Sequence, residues 1–284
     1  MKSEFVKTFE AGVEDTIKKY SLITKKDKIL VACSGGKDST TTLYTLKRLG
    51  YDPDGLIIDL RIGEWSNKNL ANVQAFCDKI DVKLHVVDMR VEFGRSICYI
   101  RSGIQSKEKM SNCAICGVIK RWILNKKARE LGATKLATGH NLDDEAETVL
   151  MTFFKGKPEI MIGAGPKTGG ITDKKFVQRI KPLYFCTNDE VSRYSKYMKF
   201  PVLYDPCPCS EGTFRHYIRE WLTDIEDGKK ELKENIVNGF LDIIPALNSA
   251  IGDKKTLKYC EICDEPSRKD ICKKCQLIKI LFDK

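Results

Sequence analysis

An apolar run of strand length, KILVAC at 28–33, ends on Ser34-Gly35-Gly36 and is followed by Asp38 to Leu49, a helical pattern stopped by Gly50. A buried strand that breaks on paired glycines and turns into a helix is half of a crossover unit. Repetition of that pattern commits a chain to a parallel sheet. Here it repeats. LIIDL at 56–60 reads as a strand, Asn67 to Ile80 as a helix and KLHVVD at 83–88 as a strand. Val118 to Leu131 reads as a helix stopped by Gly132, and KLATG at 135–139 as another strand. The alternation predicts an α/β fold, a parallel sheet with helices on both faces. Ligands of such sheets bind at the carboxyl ends of the strands, so the loops at 34–39 and 139–145 are the candidate site.

The remaining segments divide by pattern. Phe5, Phe9, Val13, Ile17 and Tyr20 have helical spacing and predict an N-terminal helix within 1–25. The main domain is expected over 26–226, with a glycine-rich loop, GAGPKTGGITD, at 163–173 near the sheet edge. A second helical zone spans about 213–250, and its part at 227–257 reads as a separate helical segment before a cysteine-rich module at 258–284. Residues 90–112 give no readable pattern.

No apolar run approaches the roughly 18 residues of a membrane helix, and the start, MKSEFVKTFE, lacks a signal-peptide core; a cytoplasmic protein is expected. In that reducing compartment the 12 cysteines point to metal, cluster or redox roles rather than disulfides. Lysine plus arginine exceed the acids by 49 − 39, a net +10, which modestly favours an acidic partner such as RNA.

The loop Ser34-Gly35-Gly36-Lys37-Asp38-Ser39 has the parts of a phosphate cradle. Glycines let backbone N–H groups approach phosphate oxygens, the helix N-terminus adds partial positive charge, Lys37 adds a full one, and Ser34 and Ser39 add hydroxyls. It is not a Walker A loop, whose first glycine would fall at Val31. The plainer reading is a capped strand-to-helix turn. Ala-Thr-Gly-His-Asn-Leu-Asp-Asp-Glu at 137–145 has a plain reading too: Asn141 caps a helix whose dipole favours Asp143, Asp144 and Glu145. That leaves His140, beside Gly139 at a strand end, unexplained.

Two cysteine sets stand out. Cys260-x2-Cys263-x8-Cys272-x2-Cys275 carries two knuckles with the spacing of a closed structural zinc site. Cys113-x2-Cys116 is followed by Gly117 and Lys120-Arg121, and far downstream comes Cys207-Pro208-Cys209. Thiolates from Cys113, Cys116 and Cys207 would hold an iron–sulfur cluster with one iron open. Cys209 either replaces Cys207 or closes the site as a fourth ligand; a second structural zinc is the alternative. Cys33, Cys77, Cys98 and Cys186 lack paired spacing and read as small buried hydrophobes.

SGGKDS at 34–39 matches the PP-loop of the N-type ATP pyrophosphatases. Together with CAICGVIKR at 113–121, GHNLDDE at 139–145, RIKPL at 179–183 and CPCS at 207–210, it resembles the TtuA/NcsA/TtcA group of PP-loop tRNA thiolases. The resemblance implies an adenine nucleotide alpha-hydrolase-like fold and ATP bound by Ala32, Ser34, Gly35, Gly36, Lys37, Asp38, Ser39, Ile58, Gly139 and His140. It also implies Lys120 and Asp144 as the catalytic pair, and Cys113, Cys116 and Cys207 as ligands of a 4Fe-4S cluster. The implied partners are tRNA and a sulfur donor, either a ubiquitin-like carrier protein or free sulfide; homodimers are common in the group. The N-terminal zinc module usual in TtuA and NcsA has no counterpart, Cys33 being the first cysteine. Cys186 resembles the TtcA branch and Arg215 to Arg219 the wobble-uridine branch, so the target base is left open.

The expected reaction is 2-thiolation: ATP and Mg²⁺ adenylate a pyrimidine C2 oxygen, most simply of uridine, and sulfur displaces AMP. Lys126, Lys127, Arg129, Lys174, Lys175, Arg215 and Arg219 are candidate RNA contacts. Rival readings are a PP-loop ligase or amidase acting on a small metabolite, a tRNA cytidine thiolase, and a non-catalytic RNA-binding subunit.

Overall fold

A computed structural model describes residues 3–156, 164–168, 173–205, 207, 213–226, 231–251 and 258–282. Among them, five strands form one parallel sheet: β1 Ile29–Cys33, β2 Pro53–Asp59, β3 Leu84–Asp88, β4 Lys135–Ala137 and β5 Gln178–Ile180. Their order is β3-β2-β1-β4-β5. The chain thus builds outward from β1 in one direction, then returns to add β4 on β1's other side. The strand order reverses between β1 and β4, the place where sheets of this kind bind ligands beyond the carboxyl ends of their strands.

Strand β1 shows why both faces must be covered. Ile29, Val31 and Cys33 pack into one apolar core, while Leu30, between them, belongs to another. The first core is closed by α1 Glu4–Lys19, α2 Lys37–Arg48, α3 Gly63–Lys79 and α8 Asn188–Tyr197, through Val6, Leu43, Phe76 and Val191. The second is closed by α5 Ile97–Gln105 and α6 Asn112–Glu130, through Ile97, Ile100, Ile119 and Ile123. Short α4, Met89–Phe93, leads from β3 toward α5. The segment 90–112 is therefore mostly two short helices, whose lengths hold too few turns for a periodic signal.

A third core joins α7 Leu142–Phe154 to α9 Phe214–Glu226 and α10 Leu232–Ile251, through Ala146, Leu222 and Val237. Charge reinforces it. Buried Glu147 takes Arg215 Nη1 at 2.7 Å and Arg219 Nε at 2.6 Å, and Lys233 Nζ reaches Asp143 at 2.7 Å and Glu226 at 2.6 Å. The helix of the segment 227–257 thus rests on α7, which carries part of the candidate site.

The C-terminal module is a two-stranded hairpin, β6 Lys258–Tyr259 with β7 Pro266–Ser267, followed by α11 Lys273–Phe282. It docks on the helices beneath the second core. Leu277 is fully buried there, a Cβ on Gly103 would lie 2.2 Å from Leu281 Cδ1, and Arg129 of α6 pairs with buried Glu265. Boundaries differ from the sequence reading at several elements, α3 beginning at Gly63 and β4 ending at Ala137 among them. Strand β2 begins at Pro53, and α6 begins at Asn112, where the Ser111 hydroxyl accepts the Ala114 N–H at 3.3 Å as an N-cap. Strand β5, only three residues long, lies within the RIKPL region and offers no alternation to detect. Within the expected loop at 163–173, only 164–168 and 173 lie among the described residues; there Lys167 bridges Ile180.

Candidate active site

At the carboxyl ends of the strands lies a cavity of about 720 Å³. Its wall includes Ala32, Ser34, Asp38 and Ser39 after β1, Ile58 from β2, and Gly139, His140 and Asp144 after β4. Lys120 and Arg121 of α6, Arg179 of β5 and Cys207 complete it. Loops far apart in sequence thus share one space.

The loop after β1 is built for an anion. Gly35 has φ +80°, and a Cβ there would stand 1.8 Å from Asn69 Oδ1, so glycine is required twice over. Asn69 Nδ2 donates to the Ser34 carbonyl at 2.6 Å and fixes the turn. The Ser34 N–H donates to Ser39 Oγ at 3.0 Å, and the two hydroxyls are 3.1 Å apart. Gly36 caps α2 without a side-chain acceptor, which leaves first-turn N–H groups available to a ligand. Gly139 meets this loop closely: a Cβ on it would fall 2.6 Å from the Ser39 nitrogen. Gly35, Gly36 and Lys37 shape the loop without lining the cavity. The Lys37 ammonium instead contacts Asp38 Oδ1 and Asn188 Oδ1, each at 2.7 Å.

The loop after β4 is tied to the first one. Asn141 caps α7 in a reciprocal box with Asp144, and its Nδ2 donates to Asp38 Oδ1 at 3.0 Å. Both readings of this stretch therefore hold together: a helix cap and a cavity wall. Burial, with Glu147 and Asp38 nearby, pushes the Asp144 carboxyl up to about 6 against the opposing pull of Arg215. Burial, with Lys181, Arg215, Arg179 and Arg121 around it, holds His140 down to about 3. Its ring is accessible, but to the cavity, and it is neutral at physiological pH. His140 Nδ1 lies 2.9 Å from Thr138 Oγ1.

Helix α6 presents Gly117, Lys120, Arg121, Leu124 and Asn125 to the cavity, a face with helical spacing. Cys113 and Cys116 lie one turn before Gly117 and Lys120 on that face, at the helix start. Cys113 is exposed and Cys116 buried; burial raises the Cys116 thiol while nearby Lys120 and Arg101 favour its thiolate. Cys207 lines the same cavity. Cys209 lies outside the described residues. Among the described residues these three sulfurs do not cluster as one tetrahedral ion requires. Three thiolates are the donor type of an iron–sulfur cluster, whose irons occupy separate corners and do not require the sulfurs to meet at one point.

The C-terminal four differ. The ligand atoms of Cys260, Cys263, Cys272 and Cys275 all lie within 4.8 Å of one another, and Cys263 and Cys272 sulfurs are 3.7 Å apart. Zinc–sulfur bonds of about 2.3 Å in a tetrahedron give sulfur separations of about 3.8 Å. The Cys272 N–H donates to Cys260 Sγ at 3.3 Å, and such donors, outweighing desolvation, hold the Cys260 thiol down to about 6. This is a closed site fitted to zinc.

A family model described as a PP-loop domain matches residues 6–226. The tRNA-5-methyluridine(54) 2-sulfurtransferase of Pyrococcus horikoshii is 36% identical over 272 residues, 96% of this chain and 85% of that protein. The chain belongs to the PP-loop tRNA thiolase family. Another member, the tRNA-5-methyluridine(54) 2-sulfurtransferase of Thermus thermophilus, is 32% identical over 97% of this chain and 84% of its own. The solved U34-tRNA thiolase NcsA from Methanococcus maripaludis, which has a 4Fe-4S cluster, matches with TM-score 0.79 and 26% identity, covering 97% of this chain and 87% of that one. The PP-loop thiolase fold is thus the one described above, with the resemblance extending through the cysteine module.

Several candidate RNA contacts have other employment in this family member. Lys126 and Lys127 pair with Glu92 at 3.6 and 2.5 Å, Arg129 with Glu265, Lys175 with Asp264, and Arg215 and Arg219 with Glu147. A surface charge in sequence gives no sign of its partner across the fold. Cys33, Cys77 and Cys186 are buried, whereas Cys98 is only half-buried, 3.3 Å from Arg101 Nη2. Sequence reading passed over Asn69, Arg121 and Arg179 as site residues. The last two sat inside quoted motifs, which was their only signal.

Proposed function

We propose that this chain is an ATP-dependent tRNA 2-thiolating enzyme acting on a uridine. The observation that carries the reading is the shared cavity: Ser34, Ser39, Lys120, Asp144 and Cys207 all face it. The named targets of the relatives above, position 54 and position 34, are both uridines, which favours uridine over cytidine.

The C2 oxygen of the base bonds to the α-phosphorus of ATP as the α–β anhydride bond breaks and pyrophosphate leaves. A sulfide sulfur then bonds to C2, the C2–O bond breaks, and AMP departs with the former carbonyl oxygen. Ser34, Ser39 and the α2 N–H groups hold the phosphates, and Asp38 would hold the Mg²⁺ that neutralises their charge. Lys120 stabilises the charge that develops on the C2 oxygen, and Asp144 takes the proton of the incoming hydrosulfide. Cys113, Cys116 and Cys207 would hold a 4Fe-4S cluster, which would supply a place for sulfide next to the activated carbon. Cys260, Cys263, Cys272 and Cys275 would hold zinc, which would brace α11 and through it α6, the helix that carries Lys120.

Sulfur arrives as free sulfide or from a ubiquitin-like carrier protein. A cytoplasmic setting is supported by a 31% identical relative, the cytoplasmic tRNA 2-thiolation protein 1 of Drosophila virilis. No helix among the described residues is long and apolar enough to cross a membrane. Binding of tRNA is expected to weaken with salt. Mass spectrometry of tRNA nucleosides from a deletion strain tests the proposal: a 2-thiouridine should vanish and return with the gene. An unchanged nucleoside profile, with ATP–pyrophosphate exchange driven by a small acid instead, would favour the metabolite ligase.

A further inference from the structure

Most cations near the cavity are already matched to acids. Lys37 is held by Asp38 at 2.7 Å, Lys181 by Glu145 at 2.7 Å, and Arg215 by Glu147 at 2.7 Å. Lys120, Arg121 and Arg179 are not, and Lys120 already has a part in the proposed reaction; the two arginines have none. They stand on different elements, α6 and β5, and both line the cavity. Neither guanidinium has a hydrogen bond or ion pair among the described residues. Burial foremost, and after it the charge of Arg121, depress the Arg179 pKa. The carboxylate nearest in charge to Arg179 is Glu145, which Lys181 already occupies. Gly117 makes room for the arrangement: a Cβ there would stand 3.2 Å from Arg121 Nη1.

Arg121 is exposed and Arg179 half-buried, so solvent screens them in part; two like charges lining one cavity without a hydrogen-bonded counter-ion still favour an anion that joins them. Guanidinium forks match the oxygens of phosphate. Arg179 stands on β5, two strands from β1 in the order β1-β4-β5, and Arg121 on α6, so the pair lies outside the loop that carries the two serines. It is a second station for a phosphate rather than an extension of the first.

We propose that Arg121 and Arg179 form a second phosphate subsite, one that holds a phosphate other than the pyrophosphate bound by Ser34 and Ser39. The inference rests on the thiolase reading for its choice between two phosphate sources: the α-phosphate that stays with AMP, or a backbone phosphate of the RNA beside the target base.

The test uses the full-length protein and Arg121→Ala, Arg179→Ala and the two Arg→Lys variants, each checked by thermal melting. Binding of pyrophosphate, AMP and unmodified tRNA is titrated separately, with Ser39→Ala as the contrast. In the arginine variants pyrophosphate affinity stays near wild type, and it falls in Ser39→Ala. Loss of AMP affinity by about tenfold or more identifies the α-phosphate as the occupant. A similar loss for tRNA, with a salt slope shallower by about one, identifies the RNA backbone. Lysine variants retain charge but lose the fork, so they should fall between alanine and wild type. Folded variants that bind AMP and tRNA as wild type does overturn the subsite. Failure of the thiolase reading would look different: wild-type protein would form no thiouridine, whatever these affinities.

Discussion

A Cβ built on Gly139 would stand 2.6 Å from the backbone nitrogen of Ser39. The loops after β1 and β4 therefore meet backbone to backbone, and the Asn141–Asp38 hydrogen bond at 3.0 Å seals the same junction. Nucleotide-binding geometry depends on this contact as much as on the serines.

Gly139→Ala should push the two loops apart. The contacted atoms are backbone and cannot swing aside, so a cost of about 1–3 kcal/mol in stability is expected. ATP affinity should fall about tenfold or more, since the displaced N–H groups are the ligands. Titration with ATP and a melting curve on the same variant check it; wild-type affinity would show that the loops bind independently.

Lys120 makes no hydrogen bond or ion pair among the described residues, so its removal should leave the fold intact. Lys120→Met is expected to lower the thiolation rate by about 10²–10⁴ while retaining ATP binding. Single-turnover assays with tRNA, ATP and sulfide under anaerobic conditions measure this. A near-normal rate would take Lys120 out of the chemistry.

Asp144 ties activity and stability to pH in opposite directions. Its folded-state pKa, about 6, lies above the ordinary carboxylate value of 3.8. The protonated form is thus favoured by folding: its stabilisation is full below about pH 4 and is lost as pH rises through about 6. Asp144→Asn should abolish that slope and be more stable than wild type near pH 7, by the order of 1–3 kcal/mol, while losing activity. The acid limb of the wild-type rate, rising through about pH 6, should disappear in the variant. Denaturant titrations from pH 4 to 8 decide it, and identical slopes would refute the shift.

The two cysteine sets should part cleanly in metal content. Cys260→Ser with Cys263→Ser is expected to lose one zinc per chain, retain iron, and melt at lower temperature as α11 loosens from α5 and α6. Cys113→Ser should lose iron and retain zinc. Elemental analysis of anaerobically purified protein reads both; zinc lost from Cys113→Ser would merge the sites.

Much of the frame is readable in the chain itself. KILVAC before SGG, and the recurrence of that pattern, identify the parallel sheet because strands buried on both faces must be short and uniformly apolar. Cysteine spacing identifies the C-terminal knuckles for a similar reason: two residues between ligands suffice to return the chain to one ion. Beyond this, pattern fails where elements are short or partners distant. Strand β5 has three residues, and α4 has five. The pairing of Glu147 with Arg215 and Arg219 spans about seventy positions, and nothing in composition distinguishes those arginines from free surface charge.

Local sequence, then, determined strands β1 to β4, the phosphate loop and the C-terminal cysteine knuckles, because periodicity and ligand spacing are properties of neighbouring residues. Tertiary structure alone decided that Lys37 turns to Asn188, that Asp144 both completes the Asn141 capping box and is a perturbed acid, and that Arg121 and Arg179 face one cavity without hydrogen-bonded counter-charges. Charge, desolvation and fit depend on what the fold brings within a few ångströms, and separation along the chain carries no record of that distance.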